Sequence, residues 1–233
     1  MHSTLNTQHS TLIYQDLQLI PYGQAWDYQE KLFAELMAKK LAGEKSFPGY
    51  LLFCEHPPVF TLGKSGSAEN LLINEQMLAR QGIEFFRINR GGDITFHGPG
   101  QIVGYPILDL EQLQLGIKTY IEKMEEAVIL LLESFGIKAS RLEGATGVWL
   151  DADIPQKARK ICAIGVKASR HITMHGFAFN VNTDLSYYQY INPCGFVDKG
   201  VTSMEKELGA KQDFDRVKER LKDCLAESFG VLI

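Results

Sequence analysis

Along "TLIYQDLQLI" (11–20) apolar and polar residues alternate with a period of two, which predicts a half-buried strand, and residues 1–11 are polar enough to form a flexible tail. From residue 24 the period lengthens. In "QAWDYQEKLFAELMAKKLAGE" Trp26, Phe33, Leu36 and Met37 recur at helical spacing, and Gly43 offers a stop. "GYLLFCEHPPVFTLG" (49–63) is strand-like, but Pro57 and Pro58 cannot sit in a central ladder and imply a turn or an edge. A short helix over 74–81 and a strand, "IEFFRIN", lead into the glycine-rich "RGGDITFHGPGQ" (90–101), after which "IVGYPILDL" reads as a buried strand. Ile117, Tyr120, Ile121, Met124, Val128, Leu131 and Phe135 form one face of a long helix ended by Gly136. The second half turns to strands: "ASRLEGATGVWLD", "KICAIGVKAS" and "HITMHGFAFNVN" are expected to run antiparallel in succession, followed by a short helix through "LSYYQY". A last amphipathic helix carries Phe214, Val217, Leu221, Cys224, Leu225 and Phe229 on one side. The pattern predicts an α/β (α+β) fold, a mixed β-sheet with flanking helices, in one domain over 12–233.

Composition narrows the function classes. An apolar share of 45% with 22% charged residues suits an ordinary globular enzyme, and a net charge of -4 argues against a general nucleic-acid binder. Cys54, Cys162, Cys194 and Cys224 are scattered, with no C-x-x-C pair, so reduced thiols in a cytoplasm are expected. Neither a signal peptide nor a run of some 18 apolar residues is visible, so no membrane association is expected.

Three stretches can carry chemistry. In "YINPCG" the thiol of Cys194 lies between Pro193 and Gly195, where packing gives it little to do and reactivity is the better reason for its presence. "RGGDITFHGPGQ" packs glycines around Asp93, Thr95, Phe96 and His97, so that a ligand could approach the backbone N–H groups. It is neither G-x-G-x-x-G nor a Walker loop, since Pro58 stands where "GKS" at 63–65 would need glycine. "RKICAIGVKASRHITMHG" sets Lys160 in an apolar strand, where strict alternation would put Cys162 and Ile164 on the lysine's face and Ala163 and Gly165 on the other. An ammonium beside Cys194 would lower the thiol pKa from about 8.5 and supply a proton to a leaving group. A zinc site from His171 and His175 lacks the ligand set and the glutamate of H-E-x-x-H, so no metal is expected, and a Cys194–His97–Asn180 protease arrangement lacks its local signatures.

Taken together, "EHPPVFTLGK", "RGGDITFHGPGQIVGYPILDL", "KICAIGVKASRHITMHGFAFNVNTDLSYYQYINPCG" and "GVTSME" resemble the lipoyl(octanoyl) transferase family over residues 12–208. The resemblance implies the fold of biotin and lipoate protein ligase catalytic domains. It also implies transfer of an octanoyl group from acyl carrier protein, through a Cys194 thioester, to a lysine of lipoyl domains, those of 2-oxoacid dehydrogenases and the glycine cleavage H protein. Lys160 then corresponds to the residue that lowers the thiol pKa. Arg90, Gly91, Gly92, Asp93, Ile94, Thr95, Phe96 and His97 correspond to one substrate-binding wall, and Ala163, Ile164, Gly165 and Gly176, Phe177, Ala178 to two further strips. No cofactor is implied, and Lys157, Arg159, Lys167 and Arg170 offer a cationic landing site for an acidic carrier. The alternatives are an ATP-dependent lipoate–protein ligase, which would not need the Cys194 thiol, and a non-catalytic lipoyl-domain- or carrier-binding module.

Overall fold

The computed structural model describes residues 11–192 and 199–233, leaving residues 1–10 and 193–198 undescribed. Two sheets organise the chain. The larger has the order β1 (Leu12–Leu19), β2 (Gly49–Glu55), β6 (Gln101–Ile107), β10 (Ile172–Asn180), β9 (Arg159–Ser169), β8 (Ala145–Leu150), β7 (Ser140–Leu142), with β11 (Gly200–Val201) beside β9. β1 runs parallel to β2 and β11 parallel to β9, whereas the other pairs are antiparallel, so the expected mixed sheet is present. The smaller sheet has β3 (Val59–Leu62) between β4 (Glu84–Arg87) and β5 (Ile94–His97). Pro57 and Pro58 are where the chain leaves one sheet for the other, because two residues without N–H groups end the β2 ladder.

Helices cover both faces of the larger sheet. On one side α3 (Ile117–Ser134) and α5 (Phe214–Phe229) pack Tyr120, Met124, Val128, Leu221 and Leu225 against Leu51, Phe53, Ile161 and Phe179, which is the main core. On the other, α1 (Tyr22–Leu41) sets Ala25, Leu32 and Leu36 on Tyr50, Leu52, Val103 and Ile107. Burial on both faces explains why β2 and β6 read as apolar runs rather than alternations. Two short helices complete the chain: α2 (Glu75–Gln81), capped by Asn74 and ended by Gly82, and α4 (Met204–Leu208). Thr11, assigned to the tail by composition, instead bridges to Leu232. The stretch 139–151 is two strands, not one. Gly144, at φ 75°, turns β7 back onto β8.

Candidate active site

A cavity of about 560 Å³ opens where the glycine loop of the smaller sheet leans over β9 and β10 of the larger. Its walls include Arg90, Gly91, Gly92, Asp93, Ile94, Thr95 and His97 from the loop and β5. The floor is Ala163, Ile164 and Gly165 of β9 and Gly176, Phe177 and Ala178 of β10. Across the ladder Gly165 faces Gly176 and Ala163 faces Ala178, so small residues on adjacent strands leave room above the sheet. The loop is tied down by the amide of Gly91, which donates to the carbonyl of Val166 at 2.9 Å. A Cβ at Gly165 would lie 2.8 Å from the carbonyl oxygen of Gly91, so only glycine permits this approach. Phe96 is placed differently from the rest of its wall. Its ring lies in the small-sheet core, stacked on Tyr187 with centroids 4.5 Å apart.

The loop is braced from outside as well. Amides of Gly63, Lys64 and Ser65 donate to the carbonyls of Asp93, Arg90 and Gly92. The Arg90 guanidinium, nearly buried, donates to the Thr61 carbonyl (2.7 Å), the Thr61 hydroxyl (3.0 Å) and the Gly91 carbonyl (3.0 Å), a fork that only arginine supplies. Asp93, whose role the sequence leaves open, accepts from its neighbour Ile94 N–H at 2.7 Å and from the Asn70 amide at 2.6 Å. Asn70 in turn accepts from the amide of Asn192 at 2.8 Å, and Leu72 N–H donates to Tyr190. The glycine loop is thereby connected to the stretch that runs toward Cys194.

Lys160 lines the same cavity. The expected alternation along its strand fails because β9 carries a bulge: Trp149 faces Lys160 while the adjacent Val148 faces Cys162, leaving Ile161 as the extra residue. Beyond the bulge the faces are exchanged, so that Cys162 is in the main core rather than on the lysine's face and Ala163 and Gly165 join Lys160 at the cavity. Burial pushes the thiols of Cys54, Cys162 and Cys224 up, away from nucleophilic use. Cys194 lies outside the described residues, but its described flanks are at this site: Lys199, Gly200 and Val201 line the cavity, and Val201 pairs with Lys160.

The inner end of the cavity is polar and aromatic, lined by Tyr22, His97, Tyr105 and His175. Gln101, its amide oriented by donation to Phe96 and Asn180, accepts from Nδ1–H of His97 at 2.9 Å, which leaves Nε2 to receive the Thr61 hydroxyl at 3.3 Å. His56 behind it donates from Nδ1 to the Ile20 carbonyl (2.7 Å) and accepts the Tyr105 hydroxyl on Nε2 (2.7 Å). Desolvation holds both rings neutral, His97 well below its ordinary pKa and His56 down to about 4. His175 is held down to about 3 by burial, then by Arg90 and Lys167. Its Nε2 meets the Asn89 side chain at 2.7 Å. With its ring nitrogens engaged and Asn180 committed to Gln101 and Thr202, His97 forms no protease-like pair with Asn180. His171 is exposed and His175 buried, and among the described residues no three His, Cys, Asp or Glu side chains converge as a metal site.

Of the expected cationic patch, Lys157 and Arg170 are exposed, whereas Arg159 and Lys167 are engaged. Arg159 is clamped by Glu207 through two bonds of 2.7 Å, with Asp151 on its other side, and Lys167 lies over the Phe33 ring at 5.1 Å. Sequence reading passes over Trp149, Asn70, Glu207 and the Tyr22–His56–Tyr105 group. Of these only Trp149 has a local signal, an aromatic residue in a strand next to the lysine's own.

Residues 21–226 match the family model described as the lipoyl protein ligase A/B catalytic domain. An octanoyltransferase of Parabacteroides distasonis is 56% identical over 217 residues, 93% of this chain and 98% of that protein. One of Cytophaga hutchinsonii is 53% identical, over 98% of this chain and 96% of that one. Among solved structures, a bipartite lipoate protein ligase of Thermoplasma acidophilum superposes with a TM-score of 0.69 at 17% identity, covering 96% of this chain and 84% of that one. Lipoate-protein ligase A bound with ATP gives 0.68 at 18%, covering 97% and 87%. The biotin protein ligase of Aquifex aeolicus gives 0.52 at 13%, covering 94% and 70%. The expected ligase-like fold is the fold observed.

Proposed function

The chain belongs to the lipoyl protein ligase A/B catalytic domain family, and from that premise we propose how it works as an octanoyltransferase. It is an acyltransferase of protein lipoylation. The donor we propose is octanoyl-acyl carrier protein and the acceptor a lysine of lipoyl domains, those of 2-oxoacid dehydrogenases and the glycine cleavage H protein.

The Cys194 thiolate attacks the octanoyl carbonyl of the carrier thioester. A bond to Cys194 sulfur forms, the bond to the carrier's thiol breaks, and the Lys160 ammonium protonates the departing sulfur. In the second half the acceptor amine attacks the enzyme thioester, a C–N bond replaces the C–S bond, and neutral Lys160 takes the amine's proton. Lys160 ammonium and Cys194 thiolate are then restored. Thioester exchange is nearly isoergic and the amide lies downhill, so no nucleotide is consumed.

The octanoyl tail lies between the glycine loop, Arg90 to Thr95 with His97, and the floor strips Ala163 to Gly165 and Gly176 to Ala178. Each buried methylene contributes about 0.8 kcal/mol, on the order of 5 kcal/mol for its six. The observation that carries the reading is that Lys160 stands at the wall of this small-residue slot while both described flanks of the Cys194 segment are tied there, through Asn70–Asn192 and Val201–Lys160. No helix among the described residues is long and apolar enough to cross a membrane, and we place the reaction in the cytoplasm, where thiols stay reduced.

Intact-mass measurement after incubation with octanoyl-carrier tests this. An octanoyl adduct that survives Cys162→Ala and is lost in Cys194→Ala is expected. Normal transfer by Cys194→Ala, or product made from free octanoate only with ATP, overturns the thioester route.

A further inference from the structure

Lys160 is a long, strongly hydrated side chain placed in a strand with buried neighbours, and such a residue is not held by its own rotamer preferences. The fold supplies a seat for it. Trp149, directly opposite across the β8–β9 ladder, presents the face of its indole, and Lys160 Nζ lies 4.6 Å from the ring centroid, within the range of a strong cation–π contact. The indole itself is fixed: it is 2% exposed, and its Nε1–H donates to the carbonyl of Ala145 at 2.9 Å. The stem of the lysine passes over Gly147, at φ 120°, where a Cβ would lie 2.4 Å from the Cys162 carbonyl oxygen and 3.4 Å from Lys160 Cε. The amide of Gly147 donates to the buried carboxylate of Glu125 at 2.9 Å, so the seat is anchored to α3. Trp149, Gly147 and Lys160 thus form one fixed unit, and two of the three line the cavity.

We infer that Trp149 is a positioning residue for the transfer reaction, its indole face holding the Lys160 ammonium at the cavity wall. The inference rests on the role proposed for Lys160. An ammonium over a ring face is stabilised relative to the neutral amine, so Lys160 keeps its proton, and with it the charge that favours a neighbouring thiolate. Among the described charged groups on the surrounding elements, Glu125 of α3 holds Gly147 and Arg141, and Arg159 is held by Glu207. Lys199, ahead of β11, adds like charge to the same wall, and the buried thiol of Cys162 on β9 feels the field of both Lys160 and Glu125.

The test compares full-length wild type, Trp149→Leu, Trp149→Phe and Lys160→Met. The alkylation rate of Cys194 by iodoacetamide is followed against pH by peptide mass mapping, and octanoyl transfer is followed against pH in parallel. In Trp149→Leu the alkylation midpoint should move up, and the high-pH limb of transfer should move down, each by on the order of one pH unit. The kcat should fall about tenfold at neutral pH with KM for octanoyl-carrier nearly unchanged, and Trp149→Phe should lie between the two. A rate lowered equally at all pH values with both limbs in place would mean a merely structural tryptophan and overturns the inference. If Trp149→Leu does not fold, Trp149→Phe decides by the same limbs. Lys160→Met separates the two layers. If it leaves the alkylation midpoint at the wild-type value, the role given to Lys160 fails; if it moves the midpoint and the Trp149 variants do not, only the tryptophan's role fails.

Discussion

Acidification below pH 6.5 should destabilise this protein sharply, through His56, His97 and His175. Each imidazole is held below its ordinary value of 6.5, chiefly by desolvation, His56 to about 4 and His175 to about 3. The geometry gives the reason, because a proton added to His56 Nε2 or His97 Nε2 would abolish the acceptor used by the Tyr105 or Thr61 hydroxyl. Above pH 6.5 folded and unfolded chains both carry neutral rings and the groups cost nothing. Below it the unfolded chain takes up protons that the folded one refuses, so stability is lost as pH falls from 6.5 toward the folded values. His56 and His175 each contribute about 1.4 kcal/mol per pH unit in that window, roughly 3 kcal/mol per unit together, and His97 adds to the loss in the same direction. Between pH 6.5 and 5 the loss from these two is on the order of 4 kcal/mol, a large share of the whole stability of a typical domain. The carboxylates of Glu35 and Glu207 are held below 4.5 and act only at lower pH, so the window belongs to the histidines. Urea denaturation followed by tryptophan fluorescence at pH 7.5, 6.0 and 5.0 measures the slope. His56→Gln should lower the stability at pH 7.5, having lost its pairing, yet reduce the slope by about a third. A free energy that is flat from pH 7.5 to 5, or a slope that His56→Gln leaves intact, refutes the reasoning.

Other consequences follow from single contacts. Gly165→Ala puts a methyl 2.8 Å from the Gly91 carbonyl, and the displaced loop should cut transfer by roughly tenfold or more while circular dichroism stays native, a result read from steady-state kinetics with octanoyl-carrier. Glu207→Gln breaks the two-bond clamp on Arg159 and should cost about 2 kcal/mol, roughly 4–8 °C in Tm at pH 7. Because the Glu207 carboxyl is held below 4.5, that advantage of the wild type is present above pH 4.5 and disappears as pH falls further, so the two melting curves should converge in acid. Asp93→Ala removes the acceptor that joins the glycine loop to Asn70. Single-turnover mass measurements should show octanoyl-enzyme forming several-fold more slowly, at about the cost of one or two hydrogen bonds.

Much of the fold is legible because it depends on local periodicity. The apolar faces of α3 and α5 recur at helical spacing and pack where that spacing requires, and Pro57–Pro58 marks the exit from β2 by chemistry that no context can reverse. The bulge at Ile161 is not legible, because it exists only through pairing with β8, and one extra residue exchanges which side chains reach the cavity. For the same reason Cys162 looks like a second thiol at the site and is a core residue. The hairpin at Glu143–Gly144 does carry a turn signal, a polar–glycine pair ahead of the strand-like "ATGVWL". Arg159 reads as free surface charge because its partner Glu207 is 48 residues away, a distance that sequence spacing does not bridge.

The fold by itself does not choose between adenylate and thioester chemistry, since ligases at 17–18% identity superpose on nearly the whole chain. The residues of this chain's loop weigh on the choice. A triphosphate needs unspent backbone N–H groups and a favourable charge around it. Here the Gly91 amide is spent on Val166 and the Ile94 amide on Asp93, and the Asp93 carboxylate adds negative charge to the wall that a nucleotide would have to approach. Thioester exchange asks less of that wall. On the route we propose it needs a closely approached strand pair to grip an apolar tail and a cation at the reacting end, tasks for which Gly165 beneath Gly91 and Trp149 beneath Lys160 are available. A common scaffold can therefore carry either activation step, and the dressing of one loop and the seat of one lysine are the features that support the nucleotide-free route we propose.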